Sequence, residues 1–276
     1  MKDALKLITI LFSFALLSSC QKEFSNDGIE TSFDKDAEQF FNSSGITDIT
    51  QKDAINDFVL QLKKDSLWEK FYAIYPMVGG TAATAKWNLK DPRDLDAAYR
   101  LTFNGSPVFA ATGVLFPALE DYADTHFTDT ALDYKNSAIS YYSRTENTIL
   151  GYDMGCTNVT TPYNQLTAYS DPSEPAYLSA WLGYIPGIPT LNTTGLFMLS
   201  SSDVNITLYR NGVNLGSSSV APDAYFTGLT LLIGTSRGGP SGLRECALAT
   251  IGEGLTDAQS LTFYNIVQSL QKELGR

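Results

Sequence analysis

The chain has 276 residues, 43% of them hydrophobic and 18% charged, and a formal net charge of −11. That acidity argues against nucleic acid, whose binders need a basic footprint, and against a polybasic grip on anionic lipid. The length suits one medium-sized β domain with a short helical lead, or at most two domains.

At the start, Lys2 and Lys6 precede an apolar stretch from Leu7 to Leu17, and Leu17-Ser18-Ser19-Cys20 ends it. A basic opening, a short apolar core, small residues and a cysteine form the layout of a bacterial lipoprotein signal. The core is too short to span a bilayer as a finished helix, so residues 1–19 read as a cleaved signal peptide. Two lysines and one aspartate leave with it, so the charge goes from −11 to −12. Cys20 becomes the expected lipidation site, and several acyl chains on one residue anchor stably where a single chain would not. The expected location is the outer membrane, with membrane contact through the lipid only. Residues 20–33 are polar and aperiodic and read as a tether. Their opening, Cys20-Gln21-Lys22-Glu23, resembles the Lys/acidic signals that send Bacteroidetes lipoproteins to the cell surface.

Residues 34–76 read as a helical lead. Ala37, Phe40 and Phe41 share one helical face, and Gly45 stops that helix. Thr50 opens a Thr-Gln-Lys-Asp start that approximates a capping box. Ile55, Phe58, Val59, Leu62 and Trp68 follow at helical spacing, and Pro76 closes the region. The aromatics Trp68, Phe71, Tyr72 and Tyr75 read as packing of the helix onto the next domain, set against a binding face.

From residue 77 onward, short β-branched and aromatic runs alternate with Gly, Pro, Asn and Asp clusters, as in a sandwich or barrel. Strands are predicted over Ala98–Phe103, Ala138–Arg144, Gly195–Leu199, Ile206–Arg210 and Thr230–Gly234. Asn211-Gly212 accepts positive φ at both central positions and predicts a type I′ hairpin. Beyond Gly254 the pattern turns helical, opening at Thr256-Asp257-Ala258-Gln259 and ending at Gly275.

Three stretches together resemble the laminin-G/concanavalin A-like jelly-roll proteins of bacteria and phages. They are Trp68-Glu69-Lys70-Phe71-Tyr72 running on to Gly79-Gly80-Thr81 and then Asn88 to Phe103; Leu208-Tyr209-Arg210-Asn211-Gly212; and the ending Ala249 to Gln259 with Phe263-Tyr264. Uncharacterised Bacteroidetes lipoproteins and phage tail or virion-surface proteins are the relatives this resemblance points to. It implies a mainly β fold, a concanavalin A-like antiparallel β-sandwich over residues 77–276, with the helical lead before it and a helix at its end. It implies less about activity, because such sandwiches host lectins, hydrolases and adhesive modules alike.

Chemistry is sparse. Hydrolases on this sandwich place carboxylates along one strand as Glu-x-Asp-x-x-Glu, and no such run occurs; Glu120 to Asp124 comes nearest, in loop-like surroundings. His126 is the only histidine, and it reads as an exposed structural residue in a polar loop. Gly238-Gly239-Pro240 reads as a hairpin loop. Asp121, Asp124, Asp129 and Asp133 form a candidate Ca2+ loop, set against ordinary turn chemistry. Trp87, Trp181 and Tyr184 are candidate ligand-binding aromatics, with Tyr163 and Tyr169 near them, set against burial in the core. Cys156 and Cys246 are a possible disulfide, set against two buried thiols. The expected role is non-catalytic binding of a glycan or polymer. The alternative is a phage-like structural or adhesion module that binds a cell-surface protein, and a glycoside hydrolase would need carboxylates dispersed in the sequence.

Overall fold

The computed structural model describes residues 32–157, 163–168, 178–180, 183–185, 192–218, 221, 226–236 and 241–276. The chain divides after Ser32, and the compact unit Phe33–Arg276 is the one described below. No helix among the described residues is long and apolar enough to cross a membrane.

Two helices lead. α1 (Lys35–Ser44) is capped by the Asp34 carboxylate, which accepts from Asp36 N, and stops at Gly45 in the left-handed region at φ 71°. α2 (Ile49–Lys64) starts at Asp48, which accepts from Gln51 N, so its cap lies two residues before the predicted Thr50. The Lys63 ammonium bridges Asp34 and Asp36 at 2.6 Å each and ties the end of α2 to the start of α1. Burial opposes the charged Asp34 carboxylate, but its bonds from Lys63 and Asp36 N outweigh that and hold it below its ordinary range.

The helical lead ends earlier than its aromatics suggest. Ser66 turns the backbone at φ 57°, and β1 (Phe71–Tyr75) pairs antiparallel with the strand Glu245–Gly252. Spacing of 68, 71, 72 and 75 fits a helix face, yet Ala73, Ile74 and Tyr75 are all buried. A strand covered on both faces gives that outcome, and helical periodicity cannot reveal it. The lead therefore contributes a strand to the sandwich, and the 76/77 boundary does not separate two bodies.

After the short α3 (Ala82–Ala85), the strands are β2 (Thr102–Asn104), β3 (Val108–Ala110), β4 (Gly113–Leu115), β5 (Tyr122–Thr128) and β6 (Ala138–Ser143). They continue as β7 (Met154–Thr157), β8 (Tyr163–Leu166), β9 (Leu178–Ala180), β10 (Gly183–Ile185), β11 (Gly195–Ser201) and β12 (Ile206–Arg210). The last are β13 (Val213–Ser217), β14 (Thr230–Ile233) and β15 (Glu245–Gly252), followed by α4 (Asp257–Glu273). One sheet runs β13-β12-β11-β6-β15-β4-β3 with β1 also on β15; a second runs β2-β5-β14-β7-β8; β9 and β10 form a hairpin. Every pairing is antiparallel within these sheets. The fold is thus the expected mainly β sandwich with helices at its start and end.

The β12–β13 hairpin turns through Asn211 (φ 52°) and Gly212 (φ 74°), as the Asn-Gly pair requires. A Cβ on Gly212 would lie 2.7 Å from Leu261 Cα, so α4 packs directly on this turn. The α4 start is the full capping box of Thr256 and Gln259. Between the sheets lies one core, including Tyr75, Phe116, Phe127, Tyr141, Phe197 and Ile233. On the outer face of the large sheet lies a second, where α1, α2 and α4 cover Phe71, Ile74, Leu196, Met198 and Leu248.

Two arginines hold the interior. Arg244, with its side chain wholly buried, gives Nη1 to both Asp153 oxygens at 3.1 and 3.0 Å and Nη2 to Ile149 O at 2.7 Å. Ala168 N donates to the same carboxylate at 2.7 Å. Burial pushes the Asp153 carboxyl up from its ordinary value, while Arg244 pulls it back down. Arg276 fills the place where β4 gives way to β1 along β15. Its guanidinium reaches the carbonyls of Thr112, Ala247 and Pro76 at 3.0–3.2 Å.

The Asp153–Arg244 pair gives a direct test. Arg244→Met leaves a buried carboxylate without its cation and should cost about 3–5 kcal/mol in urea unfolding. Adding Asp153→Leu should recover a large part of that loss; no recovery would mean the arginine acts through its carbonyl bonds instead.

Candidate functional site

Most residues singled out from the sequence turn out to have structural roles. Asp121 is buried, and its carboxylate accepts from Ser106 N at 2.6 Å and Ala118 N at 2.9 Å. Asp124 accepts from His126 N at 2.8 Å, and Asp133 from Lys135 N at 3.0 Å. Asp129, fully buried, accepts from Thr227 N, Thr227 Oγ1 and Gly228 N at 2.6–2.9 Å. The four do not converge: among the described residues no group of three or more His, Cys, Asp or Glu side chains could hold a metal ion. Their stretch is not the expected loop either. Tyr122–Thr128 is β5, with Ala123, Thr125 and Phe127 alternating inward. His126 lies in that strand at φ 56°, with Nε2 2.8 Å from Thr102 Oγ1 and 3.5 Å from Asp96 Oδ1.

No disulfide joins Cys156 and Cys246. Cys156 lies on β7 of the small sheet, with Sγ 3.7 Å from Asp129 Oδ2. Cys246 lies on β15 of the large sheet, where burial pushes its thiol well above the ordinary range. Trp87 is a wall of the helix-side core and not an open platform. Its Nε1 donates to Ala83 O at 2.8 Å, and the Lys86 ammonium sits 4.6 Å from its ring centre. Trp181, Tyr169 and Gly238-Gly239-Pro240 lie outside the described residues, as do the side chains of Tyr163 and Tyr184 and the proposed Cys20 anchor.

A groove that the sequence did not mark lies elsewhere, on the outer face of the large sheet beyond the helices. Its volume is about 680 Å³, within the range of small-molecule sites. The floor comes from β11 to β13: Ser200, Thr207, Tyr209, Asn214 and Ser217. One wall is the β15–α4 connection, Gly254 to Asp257; the other is Lys135-Asn136 with the β11–β12 turn, Ser202 to Asn205. Strand alternation makes the floor polar. Ile206 and Leu208 point into the sandwich, so Thr207 and Tyr209 point outward.

The floor is held by its own hydrogen bonds. Ser200 Oγ accepts from Leu255 N at 2.8 Å and donates to Leu255 O at 3.1 Å. Thr207 Oγ1 and Ser217 Oγ are 2.8 Å apart across the strands. Asn136 Oδ1 accepts from Gly254 N at 3.1 Å. Tyr209 OH donates to Asp257 Oδ1 at 2.7 Å; burial, and then this bond, push the phenol up to about 12. Asp257, Asp203, Asn214 and Lys135 are exposed at the rim, and Lys135 Nζ lies 3.7 Å from Asp203. Such a site offers many short hydrogen-bonding groups, several of them held in place by their own partners, on a lining more polar than apolar.

No protein-family model and no curated protein matches the chain. Among solved structures, the fourth domain of an extracellular arabinanase from Geobacillus stearothermophilus, solved with arabinotriose, is 15% identical with a TM-score of 0.46. That match covers 70% of this chain and 98% of the other. A sialidase from Trypanosoma rangeli in complex with sialic acid is 10% identical with a TM-score of 0.43, over 76% of this chain and 38% of its own. The ligand-binding domain of botulinum neurotoxin serotype D, solved with N-acetylneuraminic acid, is 11% identical with a TM-score of 0.40, over 73% and 52%. The assignment of the fold rests on the strand pairing above, not on these likenesses.

The tyrosine at the groove floor can be tested alone. Tyr209→Phe should cost about 1.5 kcal/mol near neutral pH, the scale of a hydrogen bond to a charged acceptor. Because the folded phenol is raised above its ordinary 10, its contribution is complete below pH 10 and is lost as the pH rises through about 12. Unfolding of the two proteins should therefore converge over that window, and a difference that persists above it would show that the protonated hydroxyl's bond to Asp257 is not what stabilises the wild type.

Proposed function

We propose that this protein is a surface lipoprotein, anchored through Cys20 and a tether over 20–33, that binds a glycan or polymer without chemically altering it. The observation that carries the binding reading is the groove, where hydroxyl and amide groups line a β-sheet floor and two carboxylates stand on its walls. Sugars present hydroxyls that both donate and accept, so a preorganised polar surface suits them and avoids the ordering cost of mobile side chains. The lipoprotein part rests on the Lys2-to-Cys20 layout and on Cys20-Gln21-Lys22-Glu23.

The non-catalytic part rests on the state of the groove's two carboxylates. Asp257 is bonded to Tyr209 and Asp203 faces Lys135, both in exposed positions. A glycosidase needs a carboxylic acid that its surroundings keep protonated, as burial in an apolar pocket or a close second carboxylate does. A protein-binding role would call for a broad apolar face on α2. There only Ile49 and Leu60 stand out at 60% and 46% exposure, while Ile55, Phe58, Val59 and Leu62 are buried.

The test uses the full chain, purified in a detergent without a sugar headgroup and screened against polysaccharides with calcium and with chelator. Selective binding that survives chelation is expected, because backbone N–H groups already occupy the Asp121 and Asp129 carboxylates. Absence of binding to every polysaccharide would overturn the binding reading. Mass spectrometry of the N-terminal peptide should show an acylated Cys20, and Cys20→Ala should abolish it; an unmodified Cys20 would remove the anchor.

A further inference from the structure

Resting on the binding reading above, we propose that the groove selects an uncharged, hydroxyl-rich glycan and rejects acidic ones, with Asn214, Asp203 and Asp257 as the groups that discriminate. Seven hydroxyl side chains, three amides, two carboxylates and one ammonium line it. Most of the hydroxyls are committed within the protein. Ser200 is held by Leu255, Thr207 by Ser217, Ser201 by Ser137, and Tyr209 by Asp257.

What stays open lies at the rim. Asn214 is exposed on the edge strand β13 and offers both a donor and an acceptor. The Asn136 carbonyl is taken by Gly254 N, which leaves its NH₂ as a donor. Asp257 uses Oδ1 for Tyr209, which leaves Oδ2 to accept from a ligand hydroxyl. Asp203, 82% exposed, accepts from the opposite side. A neutral sugar can satisfy all four, because each hydroxyl both gives and takes a hydrogen bond.

An anionic sugar meets the reverse situation. Its carboxylate would face two aspartates, and Lys135, the one cation among the described residues that line the groove, is offset by Asp203 at 3.7 Å. The chain's formal charge of −11 adds to the same field. A single unit of like charge at contact distance near a protein surface is enough for about a tenfold loss of affinity. Among the described residues that line the groove, Tyr209 is the one aromatic and is only 4% exposed, so none of them offers an open ring to stack on a sugar face. Recognition must therefore come from hydrogen bonds, which makes the charge term decisive.

The experiment takes the full chain in the same detergent to an array of neutral polymers (arabinan, galactomannan, mixed-linkage β-glucan, dextran) and acidic ones (polygalacturonate, alginate, polysialic acid). It is run at about 20 mM and about 150 mM salt, to separate screened from unscreened repulsion. At least one neutral polymer should bind and no acidic one should. Asn214→Ala should weaken the neutral interaction about tenfold, and Asp203→Lys with Asp257→Lys should admit polygalacturonate. Asn214 and Asp203 are exposed, so unchanged thermal melting of Asn214→Ala and of Asp203→Lys alone confirms folded protein. Acidic polymers binding the unaltered chain as well as neutral ones do would overturn the proposal, as would neutral binding untouched by Asn214→Ala. In either of those cases the glycan reading survives at another place; silence across the whole array removes both.

Discussion

The large sheet must hide an apolar outer face, and it has helices for only part of its width. Phe71, Ile74, Leu196, Met198 and Leu248 lie where α1, α2 and α4 cover the sheet. Ser200, Thr207, Asn214 and Ser217 lie where they do not. Burying the first set supplies much of the driving force, at about 25 cal/mol per Å² of apolar area. The second set can remain in water without that cost. One consequence of this division is the groove, bounded by the point where α4 begins. The Thr256 capping box and the contact of Gly212 with Leu261 set that point from two sides.

β15 connects this arrangement to the rest of the sandwich. It pairs with β6 along one edge and with β4 and then β1 along the other, so one strand joins the N-terminal lead to the middle of the chain. The join leaves the Ala247 carbonyl between β4 and β1, and Arg276 closes it from α4's far end. Beneath, Arg244 precedes β15 directly and is held by Asp153, which bonds Ala168 just past β8. A buried charge pair is poor evidence for stability as such, but it fixes which segments meet. Sheet edge, helix position and groove thus share one set of supports.

Local chemistry was legible in the sequence where it acts over a few residues. Asn211-Gly212, Gly45 and Thr256-x-x-Gln259 each specify a backbone shape by themselves, and each adopts it. Apolar runs between turn residues placed β6, β11, β12 and β14 within a residue or two, but of the predicted strand Ala98–Phe103 only Thr102 and Phe103 are in one, because Tyr99 turns the backbone at φ 60°. Phe71–Tyr75 misled because aromatics three and four apart satisfy a helix, while its partner strand lies some 180 residues on. The aspartates of 121–133 misled in another way. Asp121 and Asp129 cap loops distant in sequence, at Ser106 and at Thr227-Gly228, and nothing local to 121–133 announces that. The groove was out of reach for the same reason: Ser200, Asn214 and Asp257 become neighbours only once β11 to β13 pair and α4 is docked. The outward alternation of Thr207 and Tyr209 was its one local signal.

The most direct measurement is hydrogen–deuterium exchange of the full chain with and without a neutral polysaccharide that it binds. Slowed exchange should be confined to 135–136, 200–217 and 254–257, the floor and walls of the groove. Protection centred instead on 178–185, with 200–217 unchanged, would place the ligand on the β9–β10 hairpin and contradict the groove as the binding site.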